Sequence, residues 1–463
     1  MAEGMTGHMV VLGLGRSGRS VAEYLASRAR DGVDVRVTAL DSGDTPLLRA
    51  TAEDLRAHGV RVLLGTDEVP GDADLVVASP GVPPASPLMM SAHARGVPVI
   101  GEIEFAYRVS RSPWIAITGT NGKTTTTALV AHLLGTAGLP CEAVGNIGNA
   151  ATEVAASAGP ARLLVAEVSS FQLMLTERFH PRVSVLLNIT PDHIDYHGSF
   201  ESYAGDKARI FANQTQGDTA VIDVDDTGSA PYADRLTPRG VEVLRVSRAG
   251  AAAAFATVEE GVLVLRRRNE TTPLVAVSDL KIHGDHNVSN ALAAASAAYA
   301  AGASIQGIRE GLRSFEPIEH RLEPVGVVHG VEYFNDSKAT NPDAVAKALT
   351  AFDERPLVVL LGGHNKGNDF SELARAVSAR CRAAVVFGEC AEELEAAFAH
   401  QGRACEVVRV RGMADAVAAA AEIADPGDVV VLSPACASFD EFADYQERGV
   451  RFKQLVAQLS ERG

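Results

Sequence analysis

The residues with the clearest chemical potential form a glycine-rich loop near position 120. An apolar run, 114–117, precedes Thr118-Gly119-Thr120-Asn121-Gly122-Lys123-Thr124-Thr125-Thr126, and apolar residues at near-helical spacing follow from Ala128 to Leu134. This order predicts a strand, a loop and a helix. Such a loop brings backbone N–H groups and a lysine close to a polyphosphate, and a threonine hydroxyl can bind Mg²⁺. The strict eight-residue P-loop pattern would need glycine at Ile117, so we predict a shorter ATP-binding relative rather than a plain glycine turn.

A second glycine pattern stands at the start of the chain. The run Met9–Leu12 leads into Gly13-Leu14-Gly15-Arg16-Ser17-Gly18, and a helical stretch then leads to the strand Val35–Leu40, which ends at Asp41. This pattern predicts a Rossmann-like unit that binds a dinucleotide or another diphosphate. An NAD-dependent oxidoreductase is one hypothesis, and a domain that holds the diphosphate of a nucleotide sugar is another. Binding of NADH would separate them.

Polar residues end successive apolar runs in the middle of the chain. Glu167 follows the strand 163–166, Asp192-His193 follows the run 183–187, and Asn146 lies just before them in sequence. Because the carboxyl ends of parallel strands meet at one edge of a sheet, these groups should converge near the phosphates. Carboxylate oxygens are ligands that Mg²⁺ prefers. The sequence therefore predicts a Mg²⁺–ATP site at this edge.

These motifs must be positioned by more than one domain. At 463 residues the chain favours about three domains. The segment 101–113 and the prolines at 317 and 324 predict two linkers, which gives domains 1–112, 113–319 and 320–463. We expect an α/β protein with a Rossmann-like N-terminal domain, a P-loop ATPase-like central domain with antiparallel β structure from Thr219 to Ile282, and a Rossmann-like C-terminal domain.

Composition excludes several classes of function. The chain has 42 Lys and Arg against 58 Asp and Glu, a formal charge of -16, which argues against a long nucleic-acid interface. The five cysteines show no paired spacing, which indicates a reduced compartment. The alanine-rich stretch 291–301 is too weakly apolar to cross a membrane. We expect a cytoplasmic monomer that acts on small molecules.

Taken together, the motifs resemble the Mur ligases of peptidoglycan synthesis over nearly the whole chain. The resemblance rests on the two glycine loops, on Asp-His at 192–193 and Gly-Asp-His-Asn at 284–287, and on His-Arg at 320–321 and Asn-Asp-Ser-Lys-Ala-Thr-Asn at 335–341. Glu-Val-Ser-Ser-Phe-Gln-Leu at 167–173 and Ser-Pro-Ala-Cys-Ala-Ser at 433–438 indicate the D-glutamate-adding branch.

The resemblance implies an ATP-dependent ligase that joins D-glutamate to UDP-N-acetylmuramoyl-L-alanine through an acyl phosphate. It implies two Mg²⁺ sites: Thr124 and Glu167 would serve the first, with Lys123 at the phosphates, and His193 would touch the second. Lys207 matches a position near the second ion, where an ammonium group would be repelled. A carbamate formed with carbon dioxide would instead offer two hard oxygens, and arginine could not form one.

The remaining roles are also implied by the resemblance. ATP would be contacted by Asn287 at adenine, Arg321 at the terminal phosphate and Asp336 at the ribose. The UDP substrate would meet Gly15, Arg16, Ser17, Asp41, Gly81 and Asn146. D-glutamate would meet Lys338, Thr340, Lys366, Ser438, Phe439 and Tyr445.

Two other ligases share this central chemistry. A folylpoly-γ-glutamate synthase is disfavoured by the N-terminal glycine loop at 13–18. A diaminopimelate-adding Mur ligase should carry Asp-Asn-Pro-Arg, which the sequence lacks, and Lys338 with Ser438 favours glutamate.

Overall fold

The protein is described by a computed structural model over residues 5–267, 270–352, 355–399 and 405–461. The chain forms two compact units. The first runs to Val277 and also includes Ser289–Arg313, and the second contains Ser278–Val288 and the chain from Ser314 onward. A five-stranded and a nine-stranded sheet belong to the first unit, and a six-stranded sheet belongs to the second. The predicted α/β class with three sheet domains is confirmed.

The N-terminal sheet is parallel throughout, with strand order β3-β2-β1-β4-β5. Its strands are β1 Gly7–Leu12, β2 Val35–Asp41, β3 Arg61–Leu64, β4 Leu75–Ala78 and β5 Val99–Gly101. Its helices are α1 Arg16–Arg30, α2 Pro46–Ala57, α3 Pro87–Ala94 and α4 Glu102–Val109. Two buried clusters fill its two faces. This is the Rossmann-like arrangement that the first glycine loop predicted.

The central sheet has the order β14-β13-β12-β11-β10-β9-β6-β8-β7. Its strands are β6 Trp114–Thr118, β7 Cys141–Gly145, β8 Leu163–Glu167, β9 Val183–Leu186, β10 Thr219–Asp223, β11 Glu242–Ser247, β12 Ala256–Glu259, β13 Val262–Arg267 and β14 Glu270–Ala276. The helices that accompany it are α5 Lys123–Thr136, α6 Ala151–Ser157, α7 Ser170–Leu173, α8 Ile194–His197, α9 Phe200–Ala208, α10 Pro231–Leu236, α11 Asp285–Ala300 and α12 Ile305–Ser314.

The predicted extent of antiparallel structure, 219–282, is wrong at its start. Strands β10 and β11 pair in parallel with their neighbours, and only β12, β13 and β14 pair antiparallel. The reason is α10, which lies between β10 and β11 and supplies the crossover that parallel strands need. The sequence has three consecutive arginines at 266–268. Arg266 forms an ion pair with Glu259 and Arg267 forms one with Glu270, while Arg268 lies outside the described residues.

The second unit contains the sheet β15-β16-β20-β17-β18-β19, which is parallel except for the β15–β16 pair. Its strands are β15 Glu323–Val328, β16 Val331–Asn335, β17 Leu357–Gly362, β18 Ala383–Phe387, β19 Glu406–Arg409 and β20 Val429–Ala435. Its helices are α13 Pro342–Leu349, α14 Ser371–Arg380, α15 Ala391–Ala399, α16 Met413–Ile423 and α17 Tyr445–Glu461. In the core of this unit, the sulfurs of Cys390 and Cys436 lie 3.0 Å apart. All five cysteines of the chain are free thiols.

The alanine-rich segment forms most of α11, where Ala291 to Ala298 are almost entirely buried. Over the described ranges, no helix has both the length and the apolar character that spanning a membrane would require.

The predicted linker 101–113 is largely the helix α4, which carries two buried acids. Glu104 is fully buried and accepts hydrogen bonds from Arg108 Nε at 2.7 Å and from the backbone N–H groups of 177–179 at 2.9–3.0 Å. Glu102 accepts from the backbone N and the hydroxyl of Thr152 at 2.7 and 2.8 Å, and burial raises its pKa. The predicted linker thus contains a helix whose buried acids make tertiary contacts that local sequence does not reveal.

We predict that Glu104→Ala lowers the free energy of unfolding of the first unit by about 3–5 kcal/mol, because it leaves buried donors without their acceptor. The matched control is Glu177→Ala: Glu177 pairs with the same Arg108 but is 60% exposed, so about 1 kcal/mol or less is expected. Denaturant unfolding of both variants measures the difference. Equal losses would contradict a special role for Glu104.

Candidate active site

The glycine loop at 119–122 joins β6 to α5, as the sequence predicts. Gly122 has φ 83°, and an added Cβ would lie 2.3 Å from Asn290 Oδ1. Gly119 has φ 156°, and its Cβ would lie 3.0 Å from Leu187 Cβ. Only glycine fits these two positions without displacing neighbours. Thr124 and Thr125 follow in the first turn of α5, both largely buried.

The segment after β9 braces this loop. Asn188 Oδ1 accepts from the backbone N of Asn121 at 2.8 Å, and Asn188 Nδ2 donates to Asn121 O at 3.1 Å. The backbone N of Thr120 donates to Asn188 O at 2.9 Å. Asn188 therefore holds the loop with paired hydrogen bonds of the kind that a neighbouring strand would form. Sequence reasoning gave it no role, because a single asparagine after a strand is usually an ordinary turn residue.

Two lysines meet at one carbonyl oxygen of the loop. Lys123 Nζ donates to Gly119 O at 2.9 Å and to Thr120 O at 2.8 Å, and Lys207 Nζ donates to the same Gly119 O at 2.8 Å. Lys207 is 1% exposed and its ammonium lies 4.5 Å from the centre of the Tyr203 ring. Burial, and then the charge of Lys123, hold the pKa of Lys207 well below its usual range. Lys207 thus lies at the glycine loop, and its amine loses a proton more easily than that of an ordinary lysine.

The carboxylate of Glu167 ends β8 beside the loop. Its Oε1 accepts from Asn146 Nδ2 at 2.8 Å, whereas its buried Oε2 finds no hydrogen-bond partner among the described residues. A buried carboxylate oxygen without a partner is costly unless a cation balances it. Magnesium prefers hard oxygen ligands of this kind. The donor set therefore fits a divalent cation.

His193 lies at the end of the segment that joins β9 to α8. It has φ 53° and begins the short helix α8, and its Nε2 lies 3.6 Å from Asp192 Oδ2. The ring of Phe171 packs edge-on against it at 4.9 Å. The left-handed backbone of a residue other than glycine is a strained conformation, which is common at functional sites.

A serine, a histidine and an aspartate form a hydrogen-bonded chain beneath these residues. Ser170 Oγ lies 3.0 Å from His197 Nε2, and His197 Nδ1 lies 2.7 Å from Asp206 Oδ2. These distances match nucleophile–base–acid triads, but Ser170 is only 3% exposed. The chain fixes α8 against α7 and α9. Sequence reasoning missed it, because the contacts join residues that no spacing rule links.

The first unit also contains a cavity of about 430 Å³. All six residues predicted for the UDP substrate line it: Gly15, Arg16, Ser17, Asp41, Gly81 and Asn146. Asp41 Oδ2 accepts from the backbone N of Leu14 at 2.8 Å, which fixes the glycine loop, and Arg16 Nη1 donates to Gly148 O at 2.6 Å. The cavity is thus bounded by the N-terminal glycine loop, the segment after β4 and the segment after β7, at the strand ends where such a fold binds a diphosphate.

In the second unit, the predicted D-glutamate residues lie on segments that meet. Lys338 Nζ donates to the Tyr445 hydroxyl at 2.9 Å and lies 4.5 Å from the centre of that ring. Main-chain hydrogen bonds tie His364 to Ala437 in both directions, at 2.8 and 3.0 Å. The other predicted residues differ in exposure: Ser438 is buried, Thr340 and Lys366 are partly buried, and Phe439 is 71% exposed.

The three predicted ATP contacts outside the glycine loop also lie in the second unit. Asp336 is buried: its Oδ2 accepts from Ser433 Oγ at 2.8 Å and its Oδ1 from the backbone N of Leu322 at 3.3 Å. Burial raises the pKa of Asp336 to about 7, although the charge of Arg321 opposes this. Asn287 Nδ2 donates to His283 O at 2.8 Å.

Comparison with known families covers most of the chain. Residues 7–101 match the model described as the Mur ligase MurD-like N-terminal domain, residues 117–298 match the Mur ligase middle domain, and residues 320–436 match the Mur ligase glutamate ligase domain.

Individual proteins are also similar to this chain over nearly its whole length. The chain is 42% identical over 453 residues, 97% of both chains, to a protein of Pelotomaculum thermopropionicum named UDP-N-acetylmuramoylalanine--D-glutamate ligase. It is 43% identical over 457 residues, again 97% of both, to a protein of the same name from Salinibacter ruber. Among solved structures, MurC from Thermotoga maritima aligns with a TM-score of 0.59 at 19% identity over 98% of this chain and 99% of its own, and MurF from Acinetobacter baumannii with 0.62 at 16% over 92% and 90%. These two likenesses show the fold. The oxidoreductase hypothesis is set aside, and the chain belongs to the Mur ligase family.

Proposed function

We propose that this protein is an ATP-dependent carbon–nitrogen ligase that adds D-glutamate to UDP-N-acetylmuramoyl-L-alanine during peptidoglycan precursor synthesis. The observation that carries the proposal is the glycine-loop site: Lys123 and Lys207 converge on Gly119 O, and at the end of the adjacent strand the buried Glu167 Oε2 has no hydrogen-bond partner among the described residues. Near-full-length relatives that bear the name of this ligase support the choice of substrates.

The chemistry explains why such a site is needed. A carboxylate does not acylate an amine, because an oxide ion is a poor leaving group. Transfer of the γ-phosphoryl group of ATP to the substrate carboxylate forms an acyl phosphate and releases ADP. The amine of D-glutamate then attacks the acyl carbon, and the C–O bond breaks as phosphate leaves. Both steps develop negative charge, which fixed cations and backbone N–H groups stabilise.

The residues of the chain divide this work. The backbone N–H groups at the start of α5 and the ammonium of Lys123 would bind the phosphates. Thr124 and Glu167 would hold one Mg²⁺, and His193 with a carbamate on Lys207 would hold a second. When bound, Mg²⁺ would neutralise the phosphate oxygens and orient them. In the second unit, Asn287, Arg321 and Asp336 are proposed to contact adenine, terminal phosphate and ribose.

The other two substrates would use the remaining clusters. The 430 Å³ cavity is proposed to take the UDP portion. The cluster of Lys338, Thr340, Lys366, Ser438, Phe439 and Tyr445 would take D-glutamate, whose carboxylates need cations and hydroxyl groups. We further propose domains 1–112, 113–319 and 320–463, a monomeric state and a cytoplasmic location.

We predict that purified protein releases phosphate from ATP only when UDP-N-acetylmuramoyl-L-alanine and D-glutamate are both present. A coupled phosphate assay with each substrate omitted in turn tests this. L-glutamate and diaminopimelate are the controls, and each should give less than about a hundredth of the rate with D-glutamate, because a misplaced amine loses the advantage of orientation. Equal turnover with either one would sink the assignment.

The carbamate on Lys207 is a finer proposal. The amine is buried, its pKa is low, and it lies beside Lys123, so a cationic side chain there is electrostatically unfavourable. Reaction of the neutral amine with carbon dioxide forms a C–N bond and releases a proton, which replaces the cation by an anion. That anion would balance Lys123 and offer oxygen ligands to Mg²⁺.

We predict that Lys207→Ala loses at least about a hundredfold in kcat, and that added acetate restores part of it by supplying a carboxylate. Independently, ¹³C-bicarbonate should give wild-type protein a carbamate carbonyl signal in the NMR spectrum that Lys207→Ala lacks. Lys281→Ala serves as the control, since Lys281 is a half-exposed lysine paired with Glu316. A fully active Lys207→Ala, or no labelled carbonyl in the active enzyme, would refute the carbamate.

A further inference from the structure

Arg448 is a buried cation in α17 whose partners are all neutral. The residue is 1% exposed. Its Nε donates to Ser337 Oγ at 3.0 Å, its Nη2 to Ser337 O at 2.9 Å and to Cys436 O at 3.1 Å, and its Nη1 to Gly362 O at 3.4 Å. No carboxylate of the described residues forms an ion pair with it. A lysine could not replace it, because one ammonium cannot span these acceptors.

The acceptors belong to three segments: Ser337 follows β16, Gly362 ends β17 and Cys436 follows β20. The first segment carries Lys338 and Thr340, the second Lys366, and the third Ser438. They are therefore the segments proposed to bind D-glutamate. The Arg448 side chain touches all three.

The third segment needs such support. Ala435 has φ 64°, a left-handed conformation that costs a residue other than glycine some stability and persists only where the surroundings impose it. The backbone N of Ala435 donates to Ala339 O at 2.9 Å, and the next residue, Cys436, offers its carbonyl oxygen to Arg448. The guanidinium group thus fixes the main chain two residues before Ser438.

Arg448 also carries a buried positive charge. Burial lowers the pKa of Arg448 to about 10, opposed by the charges of the more distant Asp440 and Glu441, so the group stays protonated at neutral pH. Neutral carbonyl and hydroxyl oxygens replace only part of the water that a buried charge loses. Positive potential therefore remains at these three segments, where an anionic ligand would gain from it.

We propose that Arg448 is a positioning residue for D-glutamate: its planar group holds the three binding segments in a fixed arrangement, and its charge, which forms no ion pair with the described residues, favours a ligand with two carboxylates. The proposal rests on the proposed function. It assigns Arg448 no contact with the substrate, and acts through Lys338, Thr340, Lys366 and Ser438.

The test compares Arg448→Lys and Arg448→Gln with Arg451→Gln, which alters an exposed arginine of the same helix. Steady-state kinetics give KM for each of the three substrates, and thermal unfolding reports the fold. We expect both Arg448 variants to raise KM for D-glutamate by about tenfold or more, and KM for ATP and for the UDP substrate by less than about threefold. Arg448→Lys should bind D-glutamate better than Arg448→Gln because it keeps the charge.

An unchanged KM for D-glutamate in a folded Arg448→Lys would overturn the proposal, and so would an equal rise for all three substrates, which a general loss of structure would cause. If neither variant folds, Ser337→Ala removes one acceptor and should raise KM for D-glutamate alone by about threefold. No change there would also overturn it.

Hydrogen–deuterium exchange separates failure of this inference from failure of the proposed function. Even if the wild-type protein released no phosphate with D-glutamate, Arg448→Lys or Ser337→Ala should exchange faster at 337–341, 363–366 and 436–439 than wild type, and at the same rate elsewhere. Unchanged exchange at these segments would reject the positioning role.

Discussion

The carbonyl oxygen of Gly119 accepts hydrogen bonds from both Lys123 and Lys207, and the site depends on this convergence of two amines. Two ammonium groups at one oxygen repel each other, and burial of Lys207 removes the water that would screen them. The arrangement is stable if one amine is neutral or modified, or if anions arrive. A nucleotide triphosphate supplies such anions, and the Glu167 carboxylate supplies another at the end of the adjacent strand.

Both units contain buried polar groups that the protein itself only partly satisfies. In the first unit, Glu167 Oε2 has no hydrogen-bond partner among the described residues. In the second, Arg448 has only neutral acceptors, and Asp336 is a buried acid whose pKa is raised to about 7. Each such group costs stability in the free protein. A metal ion or a charged substrate that binds such a group would offset this cost. These groups therefore mark positions where a ligand gains binding free energy.

Most of the fold and part of the site could be predicted from the sequence, because the relevant signals are local. The glycine loops, the strands and the acids at strand ends each occupy one short segment, and the sheet then brings the strand ends together. Other features depend on distant contacts. Asn188 braces a loop 67 residues away, and Arg448 reaches Ser337 across 111 residues. The burial of Glu104 in α4 has the same origin, since its main-chain partners lie more than 70 residues further along.

In the proposed reaction, the site phosphorylates a carboxylate before an amine attacks it. Labelling the carboxylate of UDP-N-acetylmuramoyl-L-alanine with ¹⁸O tests this most directly, with mass spectrometry of the phosphate released during turnover with ATP and D-glutamate. If an acyl phosphate forms, the oxygen that joins the acyl carbon to phosphorus leaves with the phosphate, so each phosphate should carry a single ¹⁸O atom. Phosphate that carries no label while the amide product accumulates would contradict the account.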